Sequence, residues 1–318
     1  MKGKTKAWLI IAILFIVCGI LLAGVGVAMG GTLSYSYIFE NGKLRIKNGS
    51  GDFVSDTVTV SEFKKLNITS GTIDVYINKG DKYSVSYSVP EQFVPKISDG
   101  ETLNIEISKE QFTVFSFVDM YDENPYITVT VPSSDQKTYD IDASTGDIHI
   151  DNVNFRGDIK TSTGDVNVTS ANLGNVYIET STGDLHLTDV VSSEIKTTAS
   201  TGESHIENCK IDRLTAKTST GDYNINDSKL DSFKVEGSTS DIKIEGTSVN
   251  DVNINVSTGE CELELIGKAS DYSCRLSSST GDIKYDGESF EKKYIHDGNG
   301  SGSITISTST GDIKVKFD

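Results

Sequence analysis

Hydrophobic and polar residues alternate one by one along most of the chain after residue 140. The alternation recurs around the motif Ser-Thr-Gly-Asp, and we number its glycine as position 0. Positions +2 and +4 are apolar while position +3 is polar, as in Leu185, His186 and Leu187. A period of two predicts strands with one buried and one wet face, because a helix would need a period of about 3.6 residues.

The motif is an internal repeat. Its position 0 is occupied in turn by Gly146, Gly164, Gly183, Gly202, Gly221, Ser240, Gly259, Gly281 and Gly311, at spacings of 18, 19, 19, 19, 19, 19, 22 and 30 residues. One unit cannot bury its apolar side alone, but stacked units can. We therefore predict an all-β fold, a β-solenoid of about nine 19-residue coils over residues 141–318. Each coil should rise by ~4.8 Å, the spacing between strands.

Two stretches of the sequence depart from this regular pattern. Residues 33–140 are predicted to form an irregular N-terminal β region of the same structure, in which the segment 70–75 is a degenerate copy of the motif. The last spacing exceeds 19 by 11 residues, and the extra stretch near 287–302 is rich in glycine. We predict an inserted loop there that protrudes and is flexible.

An uncharged run of 23 residues, 7–29, follows Lys2, Lys4 and Lys6. This length can cross a bilayer, and the lysines should stay inside. The sequence thus predicts one N-terminal transmembrane helix at 7–29, a cytoplasmic Lys-rich tail at 1–6, and an extracellular C-terminal domain in the cell membrane. A cleaved signal peptide is the alternative, although its apolar core is usually only about 7–15 residues long.

Charge and cysteine content restrict the function classes. The net charge of −17 and the pI near 4.6 exclude nucleic acid as a partner, because phosphate binding needs a basic face. Four cysteines in 318 residues exclude a disulfide-built scaffold. Cys209, Cys261 and Cys274 fall at inward positions of the repeat and are predicted to be small core residues.

Position +1 is acidic in every unit, so stacking should place carboxylates ~4.8 Å apart, where neighbours repel by roughly 1 kcal/mol in water. Turn amides and solvent could relieve this repulsion, or a weakly bound Ca²⁺ or Mg²⁺ could do so. His186 and His205, at position +3 of adjacent coils, could hold a transition metal or simply face solvent. The candidate metal ligands are Asp147, Asp165, Asp184, Glu203, Asp222, His186 and His205. By strand parity, the threonine at position −1 should point inward or into the corner.

An aromatic cluster lies outside the repeat, at residues 112–121. It contains Phe112, Phe115 and Phe117, followed by Met120 and Tyr121. These side chains are predicted either to cap the open end of the core or to form a surface for a partner.

The repeat units, the lead-in segment 68–75 and the strand 127–131 that ends at Pro132 together resemble the bacterial putative-adhesin family, a domain of unknown function with β-strand repeats. The resemblance covers roughly residues 60–318. It implies a surface protein for which no catalytic residues are defined. It also implies a possible link to envelope-stress signalling, since some members are found near such systems.

We see no catalytic triad and no phosphate-binding loop, and the many acids make a chance carboxylate pair uninformative. We therefore predict no enzyme, but a membrane-anchored extracellular β-solenoid that serves as a surface binding or structural module, adhesin-like in character. Its partners would be a cell-wall polymer, a glycan or a surface protein, besides the membrane that 7–29 enters. The alternatives are an accessory role in envelope-stress sensing or signalling and, third, a polysaccharide-acting enzyme.

Overall fold

The computed structural model describes residues 53–107, 124–132 and 135–318, together with Gly19 and the backbone of three strands at 35–40, 43–48 and 112–116. The predicted tail at 1–6 and the predicted anchor at 7–29, apart from the helical Gly19, lie outside the described residues. Among the residues that are described, no helix is long and apolar enough to cross a membrane.

The described chain is built almost entirely from strands. The N-terminal strands are β1 (Tyr35–Glu40), β2 (Lys43–Asn48), β3 (Phe53–Thr59), β4 (Lys65–Ser70), β5 (Asp74–Lys79), β6 (Ser84–Pro90), β7 (Lys96–Ser98), β8 (Thr102–Glu106), β9 (Phe112–Ser116) and β10 (Tyr126–Val131). The strands of the repeat are β11 (Lys137–Thr145), β12 (Ile148–Asp151), β13 (Phe155–Thr163), β14 (Val166–Thr169), β15 (Asn172–Thr182), β16 (Leu185–Thr188), β17 (Val191–Thr201), β18 (Ser204–Glu207), β19 (Lys210–Thr220), β20 (Tyr223–Asn226), β21 (Lys229–Thr239), β22 (Ile242–Thr258), β23 (Cys261–Leu265), β24 (Tyr272–Tyr285), β25 (Glu288–His296), β26 (Gly302–Thr310) and β27 (Ile313–Phe317). Two short 3-10 helices span Glu91–Phe93 and Ala269–Asp271.

The chain divides into two compact units. The first consists of Met1–Val54, Pro90–Val94 and Ser108–Asn124, and the second of Ser55–Val89, Pro95–Ile107 and Pro125–Asp318. In the first unit, β1 pairs antiparallel with both β2 and β9 in a separate three-stranded sheet. The prediction that all of 33–140 belongs with the repeat is therefore wrong for these strands. The role of the aromatic cluster stays a prediction, because its side chains lie outside the described residues.

The second unit is a β-solenoid, which confirms the prediction from the alternating pattern. A typical coil has one long and one short strand, such as β15 and β16, and each pairs in parallel with its counterparts in the neighbouring coils. Ile150, Val168 and Leu187 lie in direct register, and each is at most 1% exposed. The inward side chains of successive coils thus form one continuous core.

The solenoid continues on the N-terminal side of residue 141. Strand β4 pairs in parallel with β11 and β8, and β5 does so with β12 and β10. Ile77 is in register with Ile150, so the degenerate copy at 70–75 does begin a further coil. On this side the stack continues in antiparallel strands, with β6 on β10 and β7 on β8, and β3 pairs with β6 in turn.

The C-terminal coils do not stack in chain order. Ile313 of β27 pairs with Cys261 on one side and with Ile283 on the other, so the last coil lies between the two that precede it in sequence. Strand β25 then pairs antiparallel with β24 and ends the stack. The loop predicted near 287–302 is therefore wrong over Glu288–His296. The extra residues are used to form this strand and to return the chain to the slot for its last coil.

The one strongly polar inward residue at position +2 has a packing reason. Ser204 pairs with Tyr223 in the next coil, and both side chains are buried. The small serine leaves room for the tyrosine ring, whose hydroxyl forms a 2.9 Å hydrogen bond with Thr197 Oγ1. The large and small residues therefore compensate each other within a closely packed core.

The three described cysteines are free and buried, as the sequence predicts. Burial raises the pKa of the Cys209 thiol to about 11 and that of Cys261 to about 12. Burial also raises the pKa of Cys274 above its ordinary value. These thiols therefore act as small core groups rather than nucleophiles.

Candidate functional site

The repeated motif forms a corner between a long strand and the following short strand. Here the backbones of adjacent coils lie almost in contact. A Cβ added at Gly202 would lie 2.0 Å from the carbonyl oxygen of Gly183, and the φ of Gly202 is +141°. Only glycine fits this close approach with that backbone conformation. Ser240, the exception in the repeat, keeps its buried hydroxyl in the corner and donates it to the carbonyl of Gly221.

The acidic residues at position +1 form a hydrogen-bonded column that follows the corner. The Oδ1 atoms of seven aspartates each accept the backbone N–H of the +1 residue in the adjacent coil. The distances from the donor N to the acceptor Oδ1 are 3.0 Å from Asp147 to Asp74, 2.9 Å from Asp165 to Asp147, 2.8 Å from Asp184 to Asp165, 2.7 Å from Glu203 to Asp184, 2.8 Å from Asp241 to Asp222, 2.7 Å from Glu260 to Asp241 and 2.9 Å from Asp282 to Asp312. Charge-assisted hydrogen bonds of this kind are shorter and stronger than neutral ones. The amides thus relieve the repulsion that the sequence predicts between neighbouring acids.

The two glutamates in this column use their extra methylene group differently. Glu203 reaches along its own strand to His205, with 3.1 Å between Oε2 and Nε2. Glu260 reaches across to Lys314 in the adjacent coil. Aspartate therefore has the length that suits the amide of the next coil, whereas glutamate pairs with the +3 position.

The threonines at position −1 are exposed at the corner, so of the two predicted directions, inward or into the corner, the inward one is wrong. Strand parity is broken at the corner, because positions −2 and −1 are both exposed while position −3 is the last inward residue. The column runs in direct register through Thr145, Thr163, Thr182, Thr201, Thr220, Thr239, Thr258, Thr310 and Thr280. The corner thus presents one column of hydroxyl groups beside one column of carboxylates.

A second corner lies at position +6, and it was overlooked in the sequence. Its residues have positive φ values near 50°: Asn152, Ser170, Asp189, Asn208, Asp227 and Gly246. Asparagine, aspartate and glycine tolerate this left-handed conformation best. Their recurrence at one position of the repeat was therefore a readable signal for a turn.

The predicted histidine neighbours do meet. The rings of His186 and His205 stack with their centroids 4.9 Å apart and their planes 4° from parallel. His149 stacks in the same way on Tyr76 of the preceding coil, at 4.7 Å. Position +3 is thus a ladder of stacked or paired side chains on the outer face of the short strands.

The other predicted metal ligands lie along the corner rather than around a common point. Asp147, Asp165, Asp184, Glu203 and Asp222 each occupy a separate coil of the +1 column. Among the described residues, no group of three or more His, Cys, Asp or Glu side chains is arranged to hold a metal ion. The geometry therefore gives no support to the predicted Ca²⁺ or transition-metal binding.

Two adjoining grooves follow the corner, with volumes of about 450 and 260 Å³. They have Asp222 and Asp241 in common. The first is lined by Asp184, Thr201, Gly202, Glu203, Thr220, Gly221, Asp222, Thr239, Ser240 and Asp241, and the second by Asp222, Asn224, Asp241, Ile242, Lys243, Glu260 and Glu262. These grooves are the candidate site, because they gather exposed hydroxyl and carboxylate groups from several consecutive coils.

Comparison with solved structures finds distant likenesses. A putative adhesin from Bacteroides fragilis is 16% identical, with a TM-score of 0.45, and the match covers 83% of this chain and 97% of that one. A putative lipid binding protein from Parabacteroides distasonis is 17% identical, with a TM-score of 0.45 and coverage of 84% and 98%. A putative adhesin from Parabacteroides merdae is 14% identical, with a TM-score of 0.33 and coverage of 85% and 98%. Likeness at this level does not transfer what those proteins bind.

No curated protein matches the chain. A protein-family comparison, in contrast, confirms the predicted resemblance to a strand-repeat domain of unknown function. The matching family is described as Toastrack DUF4097, and the match covers residues 63–316. Since this match spans well over half of the 318 residues, the chain belongs to the Toastrack family.

Proposed function

We propose that the protein is a membrane-anchored extracellular β-solenoid that serves as a surface binding or structural module, adhesin-like in character. The binding surface is the corner of the coils, and the ligand is a polymer with repeated hydroxyl groups, such as a glycan or a cell-wall polymer. The proposal is for binding only and includes no reaction of the ligand.

One observation supports the proposal above the others. The same exposed hydroxyl and carboxylate groups recur in register from coil to coil, at the strand spacing of ~4.8 Å. A repeating ligand can therefore make many equivalent weak contacts, and linked contacts strengthen overall binding by raising the effective concentration.

The charge of the surface narrows the ligand class. Aspartates of the +1 column such as Asp165 and Asp222 use Oδ1 to accept a backbone amide, and their second carboxylate oxygen can accept a hydroxyl from a ligand. The negative field along this corner disfavours polyanions. Neutral sugars are therefore the preferred ligands of the grooves.

The binding test uses three exposed threonines of the larger groove. Thr201→Val, Thr220→Val and Thr239→Val, combined in one full-length variant, remove the hydroxyls and keep the side-chain shape. We expect binding to fall by at least about tenfold, the combined effect of several lost hydrogen bonds. Cosedimentation with purified bacterial cell walls measures this, and a printed glycan array identifies the sugar.

The control variant combines Thr198→Val and Thr215→Val. These half-exposed threonines belong to the same region of the solenoid but lie on the outer face of the long strands, away from the corner. Their loss should leave binding unchanged. Equal binding by all three proteins, or no binding to any wall or glycan, would contradict the proposed surface.

The anchor at 7–29 is tested separately from the binding surface. Membrane fractionation of cells and protease treatment of intact cells should place residues 33–318 outside and the chain in the membrane fraction. Replacing 7–29 by an unrelated membrane segment should preserve wall or glycan binding. If the replacement instead abolishes an envelope-stress response while binding is absent, the signalling alternative replaces this proposal.

A further inference from the structure

The hydrogen-bonded column of the corner is interrupted within the larger groove. Asp184 accepts the backbone N–H of Glu203, and Asp222 accepts that of Asp241. Between these two links, Glu203 turns its carboxylate to His205, with 3.1 Å between Oε2 and Nε2. No described residue accepts the backbone N–H of Asp222. This amide is therefore an unused donor at the corner.

A buried hydroxyl beside this amide is also without a partner. Thr218 is 8% exposed, and its Oγ1 forms no hydrogen bond with any described residue. It lies behind Gly221, 3.1 Å from the point where a Cβ on that glycine would stand. At the same position of a later coil, Ser278 donates its hydroxyl to the carbonyl of Gly311 at 2.9 Å. The corner at Gly221 thus has two unsatisfied polar groups, which calls for an explanation.

The interruption lies on the wall of the larger groove, whose volume is about 450 Å³. Glu203, Gly221 and Asp222 all belong to its lining. Elsewhere in the column, the accepting oxygen lies between 2.7 and 3.0 Å from the amide nitrogen. A ligand oxygen at the same distance from the nitrogen of Asp222 would make the hydrogen bond that an aspartate makes in those coils.

The charges around the unused amide favour a neutral acceptor. The lining of this groove contains the four acids Asp184, Glu203, Asp222 and Asp241, and no lysine or arginine. A carboxylate or phosphate of a ligand would be repelled here. An amide carbonyl is neutral, and it is the acceptor that most backbone N–H groups have in proteins. An amide also carries an N–H, which suits a groove rich in carboxylate oxygens.

We propose that the larger groove binds a glycan of N-acetylated amino sugars, with an acetamido carbonyl on the backbone N–H of Asp222. The N–H of the same acetamido group donates to a carboxylate of the groove, and the ring hydroxyls contact the exposed threonines. A plain hexose has only a hydroxyl in place of this paired acceptor and donor. The inference rests on the proposed function, because it names the class of sugar that the corner binds.

Glu203→Asp tests the site without altering Asp222 itself. The shorter side chain should accept the Asp222 N–H, as aspartates do elsewhere in the column, and so compete with the ligand carbonyl. We expect affinity for the β-1,4-linked tetramer of N-acetylglucosamine to fall by about tenfold, the effect of one lost hydrogen bond. The melting temperature should rise. Calorimetric titration and thermal melting of the full-length protein in neutral detergent measure both changes.

His205→Asn is the matched control. It removes the partner of Glu203 but leaves a glutamate, whose side chain extends past the Asp222 amide. Asparagine already occupies the paired position of the next coil, at Asn224, so the outer face of the short strands should tolerate it. This variant should bind the tetramer like wild type.

Two further tetramers identify the group that is recognised. Cellotetraose has a hydroxyl where the N-acetylglucosamine tetramer has its acetamido group, and the glucosamine tetramer has an ammonium group there. At constant ionic strength, the acetylated tetramer should bind most tightly, and its affinity should be the one that Glu203→Asp lowers most. Equal or tighter binding of either other tetramer would overturn the proposal.

The outcomes separate this inference from the function on which it rests. If Glu203→Asp keeps wild-type affinity while the combined threonine variant loses it, the corner is a glycan-binding surface but the acetamido site is wrong. If none of the tetramers and no cell wall binds, the proposed function and this inference are both wrong.

Discussion

At the scale of single residues, the length of one side chain determines how the corner is stabilised. Asp184 is short enough to accept the backbone N–H of Glu203, whereas Glu203 extends past the next amide to His205. An aspartate that accepts in this way links two coils through a charge-assisted hydrogen bond. A column of acids that would repel one another in water becomes a repeated link between backbones.

Because the backbones of adjacent coils approach closely at the corner, adding one methyl group there should lower the stability of the fold. Gly202→Ala places a Cβ against the Gly183 carbonyl at a φ of +141°, so it should destabilise the fold by more than about 1 kcal/mol. Urea unfolding followed by circular dichroism measures this change. Gly71→Ala is the control, because a Cβ at Gly71 would meet nothing within 4 Å. Similar losses for both variants would contradict the role given to the corner.

The carboxyl group of Asp74, at the start of the +1 column, should make the stability of the fold depend on pH. Burial, followed by the charge of Asp147, raises its pKa, although the amide of Asp147 and the side chain of His149 oppose the shift. A folded pKa above the unfolded one means that the contribution to stability is present at low pH and is lost as pH rises through the folded value. Asp74→Asn, which keeps an acceptor for the Asp147 amide, should therefore raise the melting temperature at pH 7 but not near about pH 3.5.

The same substitution elsewhere in the column is the comparison. Asp165→Asn removes a charge from the same position two coils further along, where the flanking coils are complete. Melting curves at constant ionic strength should show the pH-dependent gain for Asp74→Asn but not for Asp165→Asn, which weakens a charge-assisted bond between two coils. A gain that is identical in both variants, or independent of pH, would rule out burial of Asp74 as its cause.

At the scale of strands, equal register makes the coils interchangeable. Strand β26 pairs with β22 and with β24 through the same positions that link coils elsewhere in the stack. Because each coil presents the same hydrogen-bonding edge and the same apolar face, a later coil can lie between two earlier ones. The spacing of 30 residues before the last motif provides enough chain for the return path.

A disulfide cross-link can test the order in which the last coils stack. Cys261 and Ile313 are partners on adjacent parallel strands, which are ~4.8 Å apart and within the range that a disulfide can bridge. Refolding Ile313→Cys from urea under mild oxidation, which lets the thiols react before they are buried, should produce a peptide that links residues 261 and 313, detectable by mass spectrometry. Ile283→Cys should not form a link to Cys261, since residue 283 is one strand further away. A link from 283 but not from 313 would indicate stacking in chain order.

At the scale of the whole molecule, the solenoid unit ends in strands that disfavour pairing with further strands. On one side β6 and β7 pair antiparallel with β10 and β8 and β3 pairs with β6, and on the other side β25 is the last strand. Strand β25 is mostly exposed and carries Glu291, Lys292 and Lys293, of which Lys292 has a positive φ. Charge and irregular backbone at an edge strand are common protection against edge-to-edge aggregation.

The buried thiols report on the integrity of the whole solenoid unit. Since the pKa of Cys209 is raised to about 11 and that of Cys261 to about 12, little thiolate is present at pH 8, and both sulfurs are also inaccessible. In a Cys18→Ser background, a thiol reagent should label none of the three remaining cysteines in native protein. All three should react together through the urea transition. Rapid labelling of native protein would mean that this part of the core opens locally.

The sequence alone was sufficient to predict the coil, because a period of two and a repeat of 19 residues are local patterns. Inward residues such as Ile150 and Leu187, and the buried cysteines, could be assigned from parity. Parity fails where the chain turns, and for this reason it left open whether Thr201 points inward or into the corner, where it is exposed. The second corner, at position +6, had a readable signal in its Asn and Asp residues.

Only the tertiary structure shows which residues that are distant in the chain become neighbours. Identical coils have nearly identical pairing energies, so no local pattern could reveal that the last coil lies between its two predecessors. The environment of the buried Lys137 likewise depends on Phe63 and Tyr83, more than 50 residues away in sequence, being brought beside it by the stacking of β4 on β11. Periodicity determines the faces of a strand, whereas the choice among equivalent partners depends on the connections and the ends of the whole stack.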